Sequence, residues 1–334
     1  MTSSISSRRR KVLLAAAVAL TVWAVAGYWT GIRMGWVGPY YNTDYVVEYV
    51  EPGGPMEGAG LEPGDRVVSV EGRPVEELGM YSRWPRSLSR RSGESLNMVV
   101  ERGGEQVSVE IVYGAMSKGA VRMRLGAVVV GLSFLWFGML ALFTAGTGHA
   151  LRLAHIGIAA ALAIPGVYLG SWDGVATHIQ IASMALITLL MVRFFFTFPS
   201  AKRPARSRLF PIALYLPWTA VLICQVVELI CHPRYYHTFG WYGSLLMMAY
   251  VVLVLGAILH TLVTTSRPEL TRSGMTWILA GLVVGLIPSL VSAVLPALRV
   301  SLPGALYYPM LVGLIPLSMA LAVRKQAMGA AKGN

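Results

Sequence analysis

The sequence predicts a polytopic α-helical membrane protein of about eight spans with one small extracytoplasmic α+β domain. Three observations predict it. The 334 residues are 55% hydrophobic and only 13% charged, with mean hydropathy +0.59, too little charge for a soluble chain of this length. The chain contains eight apolar runs of about 20 residues, the length of a membrane-crossing helix. Of its 16 acidic residues, 13 fall between Asp44 and Glu110, so one segment is built for water and the rest for lipid.

The first element, residues 1–32, opens with Arg8-Arg9-Arg10-Lys11 and continues as VLLAAAVALTVWAVAGYW. A basic start and an apolar run ending Ala24-Val25-Ala26 fit a cleavable signal peptide. The same run extended through Ile32 is long enough to stay as a signal anchor, and its length favours that reading. Both readings put residues 33–114 outside the cytoplasm.

Residues 40–114 hold seven arginines and no lysine, a net charge of −6. TDYVVEYV, DRVVSVEG, SLNMVVERG and EQVSVEIVY are short, β-branched and bounded by Gly, Pro, Asp or Asn, the signature of strands. The last two alternate and meet at Arg102-Gly103-Gly104, a hairpin signal. A short helix fits Pro85 to Arg91, closed by Gly93. Another precedes the tight turn Pro63-Gly64-Asp65.

Pro52-Gly53-Gly54-Pro55, Ala59-Gly60-Leu61, Gly64-Asp65, Val67-Val68, Gly72 and Val75 occur in that order. Together they resemble a bacterial PDZ domain spanning about residues 33–114. Met56 stands where alanine is usual, which should alter packing and leave the fold intact. The resemblance implies a groove that takes a peptide or protein end as an added strand. It implies Met34, Gly35, Trp36 and Val37 as the carboxylate-binding loop and edge, faced by Met80, Trp84 and Leu88. Trp36 and Tyr40 are equally compatible with interfacial anchoring beside the first span.

The seven runs that follow, within residues 115–325, are about 123–145, 151–171, 175–198, 209–231, 240–263, 274–296 and 303–323. Residues 326–334 form a short cytoplasmic tail. Alternation places fourteen lysines and arginines on inner loops and ends, and two, Arg234 and Arg299, on the short outer loops. That bias supports eight spans with both termini cytoplasmic, in a bacterial inner membrane. The net charge of +12 thus reports topology, and no nucleic-acid partner is expected. Arg193 is expected to snorkel to the inner interface.

Catalytic signatures are scarce. A zinc protease needs two His at i, i+4 with an intervening Glu, and none of the six histidines has that setting. No serine sits in a Gly-x-Ser-x-Gly elbow. Cys224 and Cys231 read as packed thiols. Glu228 and His178 mark one candidate intramembrane polar site, because an ionisable group at that depth is a functional candidate by default. No metal and no cofactor are expected.

Phe194, Phe198-Pro199 and Tyr215-Leu216-Pro217 flank a basic loop, and this layout resembles the sensor region of PDZ-containing histidine kinases of the competence-pheromone type, without the kinase. It implies a non-enzymatic sensory or accessory protein. The PDZ would capture a peptide or protein, and the helix bundle would relay to a cytoplasmic or membrane signalling partner. A constitutive envelope scaffold or assembly factor is the first alternative, and an unrecognised membrane enzyme the second.

Overall fold

The computed structural model describes residues 6–33, 35, 40–41, 45–50, 53–78, 91–116, 118–169, 174–231, 236–294 and 310–332. Helix α1 (Ser7–Ile32) starts with the basic residues rather than after them, because Ser6 caps it: its Oγ accepts from the Arg9 N–H at 3.4 Å.

The water-facing domain is a twisted sheet with short helices at its edges. Strands β1 (Tyr40–Tyr41) and β2 (Val47–Tyr49) pair antiparallel, and α2 (Pro55–Gly58) follows. Then come β3 (Arg66–Val70), β4 (Arg73–Pro74), α3 (Val75–Leu78), β5 (Ser95–Arg102) and β6 (Glu105–Val112). The sheet order is β4-β3-β5-β6, and Val46 bridges to Arg66, joining β2 to it.

Strand alternation sets the core. Leu96, Met98 and Val100 of β5 and Val109 and Ile111 of β6 point inward, while Ser95, Asn97, Glu101 and Glu110 stay exposed. Met56 is fully buried among them, so the alanine-to-methionine departure is absorbed as core volume. The β5–β6 register pairs Arg102 with Glu105, leaving a two-residue turn. Gly103 and Gly104 have φ of +60° and +91°, the backbone such a turn needs and side chains resist. The helix expected over Pro85–Arg91 lies outside the described residues, apart from Arg91 itself.

The membrane region comprises long apolar helices: α4 (Lys118–Ala145), α5 (Gly148–Leu169), α6 (Gly174–Thr197), α7 (Leu209–Cys231), α8 (Tyr236–Thr264), α10 (Met275–Val294) and α11 (Leu314–Lys332). Among the described residues, Ser7–Ile32, Lys118–Ala145, Leu245–Thr264 and Met310–Ala330 are long and apolar enough to cross a membrane. A fifth candidate is bent: the short α9 (Arg267–Ser273) meets Met275–Ser289 at 81°. The break falls at Gly274, φ +82°, where an added Cβ would lie 2.7 Å from the Ala322 Cα.

Two boundaries differ from the sequence expectation. Helix α4 begins at Lys118 rather than near 123, since a helix can run on past its apolar stretch, and within this extension the Arg124 guanidinium donates to the Gly31 carbonyl of α1 at 2.7 Å. Helix α11 continues through residues 326–332, expected as a tail. Those residues are mostly good helix formers, and Gln326 donates to the Pro199 carbonyl at 2.7 Å.

Close approach of backbones organises the bundle. Helices α4 and α5 touch at Gly138 and Gly157: a Cβ on Gly138 would lie 2.6 Å from the Leu153 carbonyl oxygen, and one on Gly157 2.7 Å from the Leu135 Cα. Small residues let helices meet this closely where lipid supplies no hydrophobic drive. Helices α10 and α11 use Gly285 in the same way, against the Leu311 carbonyl. Helix α1 packs on α4 and α5 with Ala17 and Ala24 fully buried.

Candidate functional site

The PDZ-like loop from Gly60 to Asp65 is locked by one arginine. The Arg102 Nε donates to Asp65 Oδ1 at 2.8 Å and its Nη2 to Asp65 Oδ2 at 2.7 Å, a bidentate pair. Arg102 also reaches Glu62 Oε1 at 3.0 Å and the Gly60 carbonyl at 2.6 Å. Asp65 accepts the Glu62 N–H at 2.9 Å and is 1% exposed. Backbone bonds from Val47 N–H to the Asp65 carbonyl and from Gly64 N–H to the Val47 carbonyl, both 2.8 Å, fasten the loop to β2. The sequence marked Asp65 as a motif residue, but its partner is 37 positions away and carried no local signal.

Burial opposes the Asp65 carboxylate. The Arg102 hydrogen bonds, the Glu62 N–H and the Arg102 charge outweigh that and hold its carboxyl below the ordinary value. A depressed carboxyl stabilises the fold above its unfolded value, about pH 3.9, and the contribution is lost as pH falls through the folded value. The β3–β5 amides should therefore keep their exchange protection at pH 5 and lose it below about pH 4. Asp65→Asn should flatten that acid limb.

Of the groove residues inferred from the resemblance, Gly35 is described; it is half-buried and lies just ahead of β1. Met34, Trp36, Val37, Met80, Trp84 and Leu88 fall outside the described residues. Of the other motif residues, Gly53, Ala59, Gly60, Leu61 and Gly64 surround α2 and the Arg102 clamp, whereas Pro52 is outside the described set. Gly53 N–H donates to Glu57 Oε2 at 2.6 Å, which closes the first turn of α2. His178 lies on α6 and Glu228 on α7; their side chains are not among those described.

The membrane region holds polar contacts that the sequence did not reveal. Arg193 does not simply snorkel: its Nη1 donates to the Tyr215 hydroxyl at 3.2 Å, tying α6 to α7. Arg152 donates to the Thr197 hydroxyl, and the His149 Nε2 lies 3.1 Å from the Thr197 carbonyl. Phe194 and Phe198 stack with centroids 5.1 Å apart and are fully buried, so this aromatic motif is packing. Beyond it, the Lys202 ammonium donates to the Phe195 and Phe198 carbonyls at 2.6 and 3.2 Å, and burial pushes it down to about 8. It caps the C-terminal end of α6, where a cation is favoured. Among the described residues no three His, Cys, Asp or Glu side chains gather as a metal site.

The PDZ domain family matches residues 46–102. A Brucella suis biovar 1 protein is 38% identical over 90 residues, 26% of this chain and 23% of its own length. A Mesorhizobium japonicum protein is 32% identical over 93 residues, 28% of this chain and 24% of its own. Both bear the name "Putative zinc metalloprotease". A Hahella chejuensis protein, "Probable periplasmic serine endoprotease DegP-like", is 36% identical over 72 residues, 21% of this chain and 15% of its own. The chain thus spans about a quarter or less of the length of these relatives. No solved structure matches.

The family match confirms the PDZ domain, and the relatives correct the functional expectation. They are proteases by name, not histidine kinases, and they overturn the reading of a non-enzymatic sensor. The kinase resemblance rested on layout and a short aromatic motif; residue-level similarity leads to proteases instead. The zinc that some of their names imply does not fit this chain, because His149, His155, His178, His232, His237 and His260 include no pair spaced with a Glu for zinc hydrolysis.

Proposed function

We propose that this chain is a membrane enzyme acting on polypeptides, of the protease kind, in which the PDZ domain captures the substrate. The supporting observation is the 38% identity of 90 residues of this chain to a protein named as a zinc metalloprotease. A PDZ recognises an extended segment through backbone hydrogen bonds and side-chain pockets, which suits polypeptide delivery. Hydrolysis then runs on groups other than a zinc centre of the His-Glu-x-x-His type. Glu228 and His178 are the candidates, since each can hold or move a proton at a reacting centre.

In this reading the PDZ lies outside the cytoplasm at residues 33–114, and residues 115–325 cross an inner membrane to complete eight spans. The fourteen-to-two distribution of basic residues supports that arrangement. Single-cysteine labelling from either side would test it: a cysteine at Ser69 should label from outside and one at Ser207 from inside.

The test of function is cleavage of membrane-tethered peptides by the full-length protein in lipid nanodiscs. Deleting residues 40–114 should raise KM about tenfold or more with kcat little changed, the mark of lost substrate binding. Glu228→Gln should remove activity while PDZ binding persists. Absence of peptide-bond cleavage across a broad substrate panel would sink the proposal, and wild-type rates in both Glu228→Gln and His178→Ala would remove these residues from it.

A further inference from the structure

The loop after α6 and the facing side of α8 enclose a cleft of about 930 Å³ with two unlike halves. One half is basic and hydroxylic: Arg203, Arg206, His260 and Thr264. The other is apolar: Phe196, Val252, Leu253 and Gly256. No carboxylate lines it. Lys202 is already engaged with the Phe195 and Phe198 carbonyls. The Arg206 Nε donates to the Ala201 carbonyl at 3.1 Å, the one side-chain hydrogen bond of this residue among the described residues. Arg203 is exposed, and its guanidinium has no hydrogen-bond or ion-pair partner among the described residues.

The apolar half continues onto an open helix face. Val252, Leu255, Leu259 and Val263 of α8 are 65%, 51%, 61% and 77% exposed, a surface suited to acyl chains. At Gly256 an added Cβ would meet nothing within 4 Å, so the cleft is open there. Two exposed guanidiniums with donors to spare at one end and an uncovered apolar wall at the other call for a ligand with an anionic head and a hydrocarbon body. We infer that this cleft binds one anionic phospholipid, its phosphate on Arg203 and Arg206 and an acyl chain along Val252, Leu253 and Gly256. Basic pockets beside membrane helices recognise anionic headgroups through the same charge complementarity.

Native mass spectrometry of the full-length protein, released from detergent, tests this with phosphatidylglycerol, phosphatidylethanolamine and inorganic phosphate in parallel. Phosphatidylglycerol should be retained about 25-fold more than phosphatidylethanolamine, from about fivefold for each of the two guanidiniums. Arg203→Gln with Arg206→Gln should bring the two lipids level. Gly256→Leu fills the apolar half and should reduce phosphatidylglycerol retention by a similar factor. The unfolding temperature should match wild type in the double arginine variant and be equal or higher in Gly256→Leu, since all three positions are exposed and leucine is the better helix former. Equal retention of the two lipids by the wild-type protein overturns the inference, as does indifference to the double arginine variant. It is also overturned if Gly256→Leu leaves retention unchanged while inorganic phosphate displaces the lipid fully, because the site then holds a free anion.

Discussion

Gly157→Val should destabilise the membrane region by about 3 kcal/mol, the upper end of the usual range for overpacking. The valine Cβ would sit 2.7 Å from the Leu135 Cα, against backbone that cannot rotate aside. Helices α4 and α5 would have to separate along their whole contact, including the reciprocal approach of Gly138 to the Leu153 carbonyl. The buried side chains of that seam, Leu135, Met139, Leu142 and Ala154, would lose contacts together. Gly256→Ala is the matched control. It lies on an exposed helix face with open space at its Cβ, and should gain up to about 1 kcal/mol from helix propensity. Denaturant titration of the full-length protein in detergent, followed by far-ultraviolet circular dichroism, separates the two. Equal effects from both substitutions would show that the α4–α5 seam is not a rigid contact.

Asp65→Ala should cost the PDZ domain about 2 kcal/mol, within the usual range for leaving buried hydrogen-bond partners unsatisfied, because Arg102 stays in reach of water. The carboxylate is buried and fixes three groups at once: both arms of the Arg102 guanidinium and the Glu62 N–H. Removing it frees the Gly60–Asp65 loop and strips Arg102 of its strongest partner. Hydrogen exchange on the intact protein should show faster exchange in β3 and β5, with the amides of α4 and α5 unchanged. Adding Arg102→Met should restore part of the protection, because both charges are then gone. Loss of protection in the double variant equal to the sum of the two single losses would mean that the residues act independently.

The parts legible in the sequence were those written in local composition. Apolar runs such as those forming α4 and α8 announce themselves because about 20 residues must face lipid. The PDZ was legible because its turns demand particular residues, as Gly103 and Gly104 show with their positive φ. Contacts between distant positions were not legible. Arg102 and Asp65, Gly157 and Leu135, and Arg193 and Tyr215 meet through folding, and one sequence carries no mark of such pairings. The bend at Gly274 escaped because Arg267–Ser273 is too short to show a period of its own. The error about function had a different origin. The order of a PDZ and several spans is shared by unrelated activities, so layout suggested a sensor, whereas residue similarity over about a quarter of the chain led to proteases.

The bond from Arg124 to the Gly31 carbonyl clasps the end of α1 to the beginning of α4. The PDZ domain is therefore leashed at both ends to one point on the bundle. Tyr113 is still part of the domain core, so the domain's C-terminal leash, from Gly114 to Lys118, reaches at most about 14 Å when fully extended. If the PDZ captures a polypeptide as proposed, the tether keeps that polypeptide near the helices, at an effective concentration in the millimolar range. The groove then needs only weak intrinsic affinity to keep a segment at the membrane, and weak binding lets it release the segment quickly. The clasp turns a short hold into repeated local encounters, and it confines capture to chains that emerge close to the lipid surface.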